Sequence, residues 1–394
     1  MVGKMGSKFP NIVIIADSQI KGGSLSGGDR IFIECAKRWA EKGYDIQIIT
    51  CEEGYEMCRR YALGNVSYLT VSPRYRLPIY LLYILRMIKG SLLTWRMAPH
   101  LRNVVVYSSS DFWPDSIPAL VCRMRNKRVR WIAGFYLFMA NPFGRESPYK
   151  GLSMLKGLLY YFSQLPVYLL VRKFADMIWV TSEPDRERFI DSRLSPSKVI
   201  AVRGGVDVET PSSIPEPKEK RFDAVFVGRF HPQKGVLELI DIWNHVVKRK
   251  KDARLAIIGV GDLEREIKEK IRVYGLKGNI VLFGFKDGVE KLRIFKDSKV
   301  VVHPAIYDSG GMASCEAMAC GLPGVSFDLP ALRTYYPKGM LKTPCYDLKA
   351  FAENILWLLN DENLCRRTAR DALDWAKEWD WNKKSEELLE TIKR

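Results

Sequence analysis

Residues 223–258 read DAVFVGRFHPQKGVLELIDIWNHVVKRKKDARLAII. Within this stretch, Asp223–Val227 is a short apolar run of the kind found in buried strands, and a glycine-containing turn follows it. Gly235–Lys248 then carries apolar residues at helical spacing, and Arg254–Ile258 reads as the next strand. A strand, a turn, a helix and a strand in this order predict a parallel sheet with crossover helices.

The same cycle recurs on both sides of this stretch, so the chain is predicted to be α/β throughout. Further predicted strands are Asn11–Ala16, Asp45–Thr50, Val104–Ser108, Val129–Ala133, Met177–Thr181, Ile280–Phe283 and Lys299–His303, and further predicted helices are Asp29–Lys42 and Asp262–Tyr274.

One segment, Glu209–Arg221, interrupts the rhythm, because it contains three prolines and has no apolar period. Such a composition is typical of a linker. The chain of 394 residues is long enough for two domains. We therefore predict two doubly wound α/β domains, over residues 1–208 and 222–377, joined by the linker 209–221.

The chain carries a formal net charge of +17, and its basic residues are densest between Arg74 and Arg130. A basic surface attracts polyanions, which include nucleic acid, anionic lipid and phosphorylated substrates.

The eight cysteines are scattered without a CxxC pair, which argues against a zinc site and favours a reducing, cytoplasmic compartment. The N-terminal residues do not resemble a signal peptide. The apolar run between Lys156 and Arg172 is too short for a predicted transmembrane segment.

A Gly27-Gly28 pair lies between the first predicted strand and the first predicted helix. Glycines at such a place let the backbone approach a ligand, and the start of the helix offers N–H groups to an anion. A tight turn that binds nothing would have the same sequence, and both interpretations stay open.

Two cations, Arg229 and Lys234, follow the strand Asp223–Val227. Ligands of open α/β sheets bind at the carboxyl ends of the strands, so both side chains are expected in that crevice. An Arg fork and a compact Lys charge together suit a diphosphate, although solvated loop cations would look the same.

The stretch 308–323, DSGGMASCEAMACGLP, follows the strand Lys299–His303. Gly310-Gly311 is expected to form a turn before a helix of small residues, whose first N–H groups could hold phosphate or sugar hydroxyls. Asp308 and Glu316 would lie two turns apart along a helical path, where Glu316 could accept hydrogen bonds from ribose or sugar hydroxyls. The alternative is an ordinary helix with two exposed acids.

Taken in order, these stretches resemble the retaining glycosyltransferases of the GT-B fold, in glycosyltransferase family four. The resemblance covers almost the whole chain, and its specific motifs lie within residues 204–323. The matching pieces are Gly27-Gly28, Gly204-Gly205-Val206-Asp207, Gly228-Arg229 with Lys234-Gly235, Ile258-Gly259-Val260-Gly261-Asp262, Asn279–Gly284, and the paired acids of Asp308–Pro323.

The resemblance implies two facing Rossmann-like domains and a C-terminal helix, residues 378–394, that returns to the first domain. It implies a nucleotide-sugar donor as substrate, no cofactor, no metal, and an acceptor that is lipid-linked or a glycan. The implied catalytic residues are Arg229 and Lys234 at the diphosphate, Glu316 at the ribose and Asp308 at the donor sugar. The implied donor-binding residues are Gly28, Gly228, Gly259, Gly261, Phe283, Gly284, Gly310, Gly311 and Met312.

Three positions depart from the family pattern. Asp308 stands where Glu is usual, Arg203-Gly204 stands where Asn-Gly is common, and the segment Trp131–Tyr136 lacks the histidine that many members carry near the reacting centre. These departures bear on the sugar and the acceptor more than on the reaction class.

Two apolar segments with basic flanks, Arg74–Arg96 and Lys150–Lys173, have the composition of interfacial helices. They could instead be amphipathic helices that cover the first sheet. Two other functions stay open as alternatives. One is a sugar-nucleotide epimerase of the same fold, and the other is a basic nucleic-acid-binding protein, for which nothing but charge argues.

Overall fold

The computed structural model describes residues 11–20, 25–71, 77–144, 147–149, 151, 153–191 and 194–393. The chain packs as two compact units. The first unit comprises residues 1–139, 158–204 and 381–394, and the second comprises residues 140–157 and 205–380. Residues 140–157, which the sequence analysis placed in the N-terminal domain, therefore pack with the second unit.

The first unit is built on a parallel sheet of seven strands in the order β3-β2-β1-β4-β5-β6-β7. Its strands are β1 (Asn11–Ala16), β2 (Ile46–Thr50), β3 (Ser67–Thr70), β4 (Val104–Ser108), β5 (Arg130–Gly134), β6 (Met177–Val180) and β7 (Val199–Ala201). The strand order reverses between β1 and β4, which pair from Asn11 with Val104 to Ile15 with Ser108. Such a reversal opens a crevice at the carboxyl ends of the two strands.

The helices that lie wholly or mostly in the first unit, before its last segment, are α1 (Gly27–Glu41), α2 (Glu52–Arg60), α3 (Ile79–Met97), α4 (Trp113–Arg125), α5 (Ser153–Phe174) and α6 (Glu183–Phe189). Helix α3 packs closely on α4, since a side chain at Gly90 would meet the ring of Pro118. Arg74–Arg76 and Lys150, the starts of the two apolar segments, lie outside the described residues.

The second unit has a parallel sheet of six strands in the order β10-β9-β8-β11-β12-β13. Its strands are β8 (Phe222–Val227), β9 (Leu255–Ile258), β10 (Ile280–Leu282), β11 (Ser298–His303), β12 (Gly324–Phe327) and β13 (Met340–Thr343). Its helices are α7 (Thr210–Ser213), α8 (Val236–Arg249), α9 (Glu264–Val273), α10 (Gly288–Lys296), α11 (Met312–Ala319), α12 (Pro330–Tyr335), α13 (Leu348–Asn360) and α14 (Glu362–Lys377).

The last helix, α15 (Trp381–Lys393), belongs to the first unit and packs on α1. The indole of Trp39 donates to the carbonyl of Ser385 at 2.9 Å, and a guanidinium nitrogen of Arg130 donates to the carbonyl of Ile392 at 2.8 Å. The first unit is therefore assembled from the two ends of the described chain.

Both sheets bury strands whose side chains are apolar on both faces, which is why short apolar runs identified them. The two Rossmann-like units confirm the predicted fold class. The predicted linker, residues 209–221, contains the one-turn helix α7, which begins at the Pro-containing sequence Thr210-Pro211. Proline is tolerated in the first turn of a helix, so the prolines there did not exclude one.

Candidate active site

The second sheet reverses its strand order between β8 and β11, and the residues of the candidate site follow the carboxyl ends of these strands. The loop after β8 carries Arg229 and Lys234, and the loop after β11 carries Asp308 and leads into α11. This is the position at which doubly wound sheets bind their ligands.

Two glycines after β9 let that loop pack against the loop after β8. The N–H of Gly228 donates to the carbonyl of Ile258 at 3.0 Å, and that of Phe230 donates to Val260 at 2.9 Å. A side chain at Gly259 would overlap the carbonyl oxygen of Gly228, and one at Gly261 would crowd the backbone of Phe230. Gly228, Gly259 and Gly261 therefore shape the rim of the site through backbone contacts.

Lys234 is held by an unusual backbone position next to it. Gly235 has a φ of 64°, and a side chain there would overlap the carbonyl oxygen of Pro304. Only glycine fits both conditions. The ammonium of Lys234 thereby reaches the carboxylate of Asp308, with Nζ 2.5 Å from Oδ2.

Asp308 is a nearly buried carboxylate surrounded by donors. Its Oδ1 accepts from the backbone N–H groups of Ser309 at 3.0 Å and Gly310 at 3.3 Å. Burial alone would raise the pKa of this carboxyl, but Lys234 and His303 outweigh burial and hold the pKa well below its ordinary value. Asp308 is thus ionised in the folded protein.

His303, at the end of β11, is a site residue that the sequence analysis missed. Its Nε2 lies 3.4 Å from Oδ2 of Asp308, and its Nδ1 lies 2.9 Å from the hydroxyl of Ser314. Burial lowers the pKa of this imidazole. The position of a histidine at the carboxyl end of a predicted strand was the one available signal.

Glu316 lies one turn into α11, which begins at Met312. Asp308 precedes this helix, so the expectation that the two acids share a helical path is wrong: the Gly310-Gly311 turn separates them. Glu316 is not an exposed acid, because its Oε2 accepts from the ammonium of Lys291 at 2.8 Å. Lys291, on α10, was also missed by the sequence analysis.

The Gly310-Gly311 turn is lined by two tyrosines from the end of α12. A side chain at Gly310 would meet the ring of Tyr335 at 2.7 Å, and one at Gly311 would meet the hydroxyl of Tyr336 at 2.7 Å. The turn therefore packs against aromatic rings. Gly311 is the N-cap residue of α11 and, as a glycine, has no side chain that could accept a hydrogen bond from the helix. Met312, half-buried, is the first residue of that helix.

The remaining predicted residues of the second unit lie at the rim. Arg229 is exposed, and His231, two residues on, has a pKa lowered to about 4 by burial and by the nearby charges of Arg229 and Lys156. Phe283 packs edge-on against Phe222 with ring centres 5.6 Å apart. The carbonyl of Gly284 accepts from the N–H of Gly259 at 2.9 Å, so these two residues act through the backbone.

Gly28 belongs to the first unit. It lies in the first turn of α1, where Ser26 and Asp29 form a capping box that satisfies two N–H groups of the helix end. A side chain at Gly28 would meet the ring of Tyr136 at 2.7 Å. Close packing against Tyr136 is thus sufficient to require this glycine.

Residues 207–375 match the family model described as glycosyl transferases group 1. Residues 207–375 form a group 1 glycosyltransferase domain. This match confirms the resemblance stated from the motifs. It covers the Arg229–Lys234 loop, the Asp308–Glu316 stretch and Lys291.

Curated relatives of this domain match over part of their length. An uncharacterized glycosyltransferase of Methanocaldococcus jannaschii is 35% identical over 101 residues, which are 26% of this chain and 26% of that protein. The phosphatidyl-myo-inositol mannosyltransferase of Mycobacterium leprae is 28% identical over 201 residues, 49% of this chain and 53% of that protein. The chain thus spans about a quarter to about half of these relatives.

Solved structures match the fold over nearly the whole chain. A glycosyltransferase from Rickettsia africae is 15% identical with a TM-score of 0.70, and 98% of each chain is covered. HepE of Anabaena, solved with UDP and glucose, is 14% identical with a TM-score of 0.73, covering 98% of this chain and 100% of that one. These similarities support the GT-B fold.

Proposed function

We propose that this protein transfers a hexosyl group from a nucleoside-diphosphate sugar to an acceptor hydroxyl, with retention of configuration at the sugar. The observation that carries the proposal is the group of Arg229, Lys234, Asp308 and Glu316 around the β8–β11 reversal of a group 1 glycosyltransferase domain. The group combines cations for a diphosphate with carboxylates for sugar hydroxyls.

The leaving diphosphate gains negative charge as the bond from the sugar carbon to its oxygen breaks. Lys234 and Arg229 stabilise that charge electrostatically, together with N–H groups at the start of α11. Asp308 holds the ammonium of Lys234 at 2.5 Å, so the cation is positioned before the donor arrives. Such positioning reduces the reorganisation needed in the transition state.

For retention, the acceptor hydroxyl attacks from the face that the diphosphate leaves. The bond from the sugar carbon to the acceptor oxygen forms as the bond to the phosphate oxygen breaks. The acceptor proton passes to that phosphate oxygen, and the products are the glycoside and a nucleoside diphosphate. The residues of the second unit supply charge and position in this scheme, and the donor supplies the base.

The acceptor is proposed to be lipid-linked, with the enzyme held peripherally at an anionic cytoplasmic membrane face. Two helices of the described chain expose apolar stripes at helical spacing. The exposed side chains are Tyr80, Leu81, Ile84, Ile88, Leu92 and Trp95 on α3, and Leu155, Leu159, Phe162, Leu165 and Leu169 on α5. Exposed apolar stripes of this size mark surfaces that bind a partner or a membrane.

Cations accompany the stripe on α3. Arg96 is exposed near the end of α3, and the guanidinium of Arg125 lies 4.5 Å from the ring centre of Trp95. Within the described residues, Met154–Phe174 also has the length and composition of a membrane-crossing helix, although the uncharged run inside it was predicted to be too short for one. Aromatic side chains beside cations are typical of the interface between headgroups and acyl chains.

The donor assignment is tested by calorimetric titration of UDP-, GDP- and ADP-sugars into the purified protein. We expect selective binding of one donor, and we expect Lys234→Ala to abolish it. Lys268→Ala is the control that should preserve binding, because Lys268 pairs with Glu264 on the exposed face of α9. Absence of binding for all three donors would contradict the proposed function.

The membrane assignment is tested by flotation with vesicles of phosphatidylcholine and phosphatidylglycerol at low salt. The wild type is expected to float, and the double variant Leu92→Glu with Leu169→Glu is expected to stay in the soluble fraction. Val273→Glu is the matched control, since Val273 is a similarly exposed apolar residue of the second unit. A wild type that does not float indicates a soluble acceptor.

A further inference from the structure

Lys291 links two acids in the core of the second unit. It projects from α10 and is 8% exposed, and its Nζ lies 2.8 Å from Oε2 of Glu316 and 2.8 Å from Oδ1 of Asp287. Burial lowers the pKa of this lysine, but Glu316 and Asp287 outweigh burial and raise it, so the side chain is charged.

The lysine joins separate elements. Asp287 precedes α10, whereas Glu316 lies on α11, 25 residues further along the chain than Lys291. Because Glu316 is anchored through its side chain to a second helix, its carboxylate loses most of its rotational freedom. Ordering a long side chain in advance removes an entropic penalty that a ligand would otherwise have to meet.

The charges in this cluster also distinguish it from the neighbouring Lys234 cluster. Two carboxylates, Asp287 and Glu316, share the single ammonium of Lys291. Among these three residues the acids outnumber the cation, which suits hydroxyl donors and disfavours phosphate. The loop of Arg229 and Lys234 has the opposite preference.

We infer that Lys291 is a positioning residue that fixes the Glu316 carboxylate for the ribose hydroxyls of the donor. The inference rests on the proposed function. It adds to that function a residue outside the motifs, and it explains why a lysine is buried between two acids. Without Lys291, the Glu316 carboxylate would lose the contact that ties it to α10, and the ribose would lose an acceptor oriented by that contact.

The experiment compares each nucleoside diphosphate, UDP, GDP and ADP, with its 2′,3′-dideoxy analogue by calorimetry. For the wild type, the ribose form of the bound nucleotide is expected to bind about 10- to 100-fold more tightly, the range for hydrogen bonds to a charged group. In Lys291→Met this preference is expected to fall to a few-fold or less, and Lys291→Arg is expected to restore part of it.

Lys296→Met is the matched control, because Lys296 lies on the same helix and pairs with Glu216 instead. A merely structural role of Lys291 would weaken both nucleotides equally and leave their ratio unchanged. An unchanged ratio in folded Lys291→Met would therefore overturn the inference.

A crystal structure of ligand-free Lys291→Met gives a readout that does not depend on nucleotide binding. The Glu316 side chain is expected to leave its present conformation, whereas Lys296→Met is expected to keep it. If the wild type binds no nucleoside diphosphate, the proposed function fails. The ligand-free structure still decides whether Lys291 positions Glu316, and an unmoved Glu316 overturns that role.

Discussion

The two units have similar sheets, yet the carboxyl ends of their central strands are electrostatic opposites. In the first unit, Asp17 and Asp115 follow β1 and β4, and burial raises the pKa of Asp17 to about 8 and that of Asp115 to about 7. In the second unit, Asp308 is nearly buried, but its pKa is lowered. Near neutral pH, burial thus favours the protonated form of Asp17, whereas Asp308 is ionised.

The difference comes from the partners and not from burial. Asp308 has the ammonium of Lys234 at 2.5 Å. Arg86 lies close to Asp17, but its guanidinium donates to the backbone carbonyls of Asp17 and Gln19 and to the carboxylate of Glu53. Within the described residues, no cation pairs with either carboxyl oxygen of Asp17. The same topology can thus present either a neutral or an ionic edge, and only the ionic one suits a polyphosphate.

Removal of the Lys234 ammonium should make the carboxyl-end edge of the second sheet resemble that of the first. Lys234→Ala is expected to reduce turnover of the nucleotide sugar by about 100-fold or more, the range for loss of one transition-state donor. Steady-state kinetics measures this, with Lys268→Ala as the control. Because the change leaves the Asp308 charge unpaired, the double variant Lys234→Ala with Asp308→Asn keeps the test valid if the single variant unfolds. Turnover within a few-fold of wild type in either folded variant would refute the role.

A change at Gly235, the neighbour that holds Lys234 in place, is expected to have the next largest effect. Gly235→Ala adds a methyl group that would overlap the carbonyl oxygen of Pro304, at a φ of 64°. Gly275, with a φ of 69°, has open space around the added methyl. Gly275→Ala is expected to reduce the free energy of unfolding by about 1–2 kcal/mol, the cost of the left-handed conformation. Gly235→Ala should cost clearly more in urea denaturation, and equal losses would contradict the overlap with Pro304 as the cause.

The raised pKa of Asp17 is tested through the pH dependence of stability. The pKa of Asp17 is raised from 3.8 to about 8, so the unfolded chain loses this proton between those values while the folded chain keeps it. Stability therefore falls as pH rises through that window. Asp17→Asn is expected to make the fall shallower, so that the variant exceeds the wild type in melting temperature at pH 8 and differs least near pH 4. A parallel pH profile for both proteins would show that Asp17 is ionised.

The smallest effect is expected from His231, in the loop after β8 at the rim of the candidate site. The pKa of His231 is lowered from 6.5 to about 4, so the unfolded chain binds a proton in this window that the folded chain does not. Stability is lost as pH falls from 6.5 towards 4. His231→Asn, which keeps an acceptor near the N–H of Gln233, is expected to reduce that loss in thermal melts. An equal loss in His231→Asn and in the wild type would show that His231 does not cause it.

The sequence predicted most of the fold because the central strands are buried on both faces. The predicted bounds of β1 and β4 agree with the structure to the residue. The strands β3, β7, β12 and β13 were not predicted. Strand β3 is half-exposed and β7 has only three residues. Strands β12 and β13 begin or end next to glycine, proline or charged residues. Strands of this kind carry little apolar pattern.

The candidate site was predictable where its residues are neighbours in the chain. The Gly-Arg…Lys-Gly loop and the Asp-Ser-Gly-Gly turn are local patterns, and the structure brings Lys234 and Asp308 into contact. Lys291 and His303 were missed because their importance comes from partners on other elements. In the sequence, Lys291 is one of many lysines on an amphipathic helix, and no local spacing marks its burial.

The placement of α15 sets the order in which the two units can be completed on the ribosome. All residues of the second unit precede Trp381, whereas the first unit needs α15 to cover Trp39 and to accept the hydrogen bond from Arg130. Domains generally fold as they emerge during synthesis. Here the unit that begins first finishes last, and its α1 surface stays uncovered while the second unit is translated and folds.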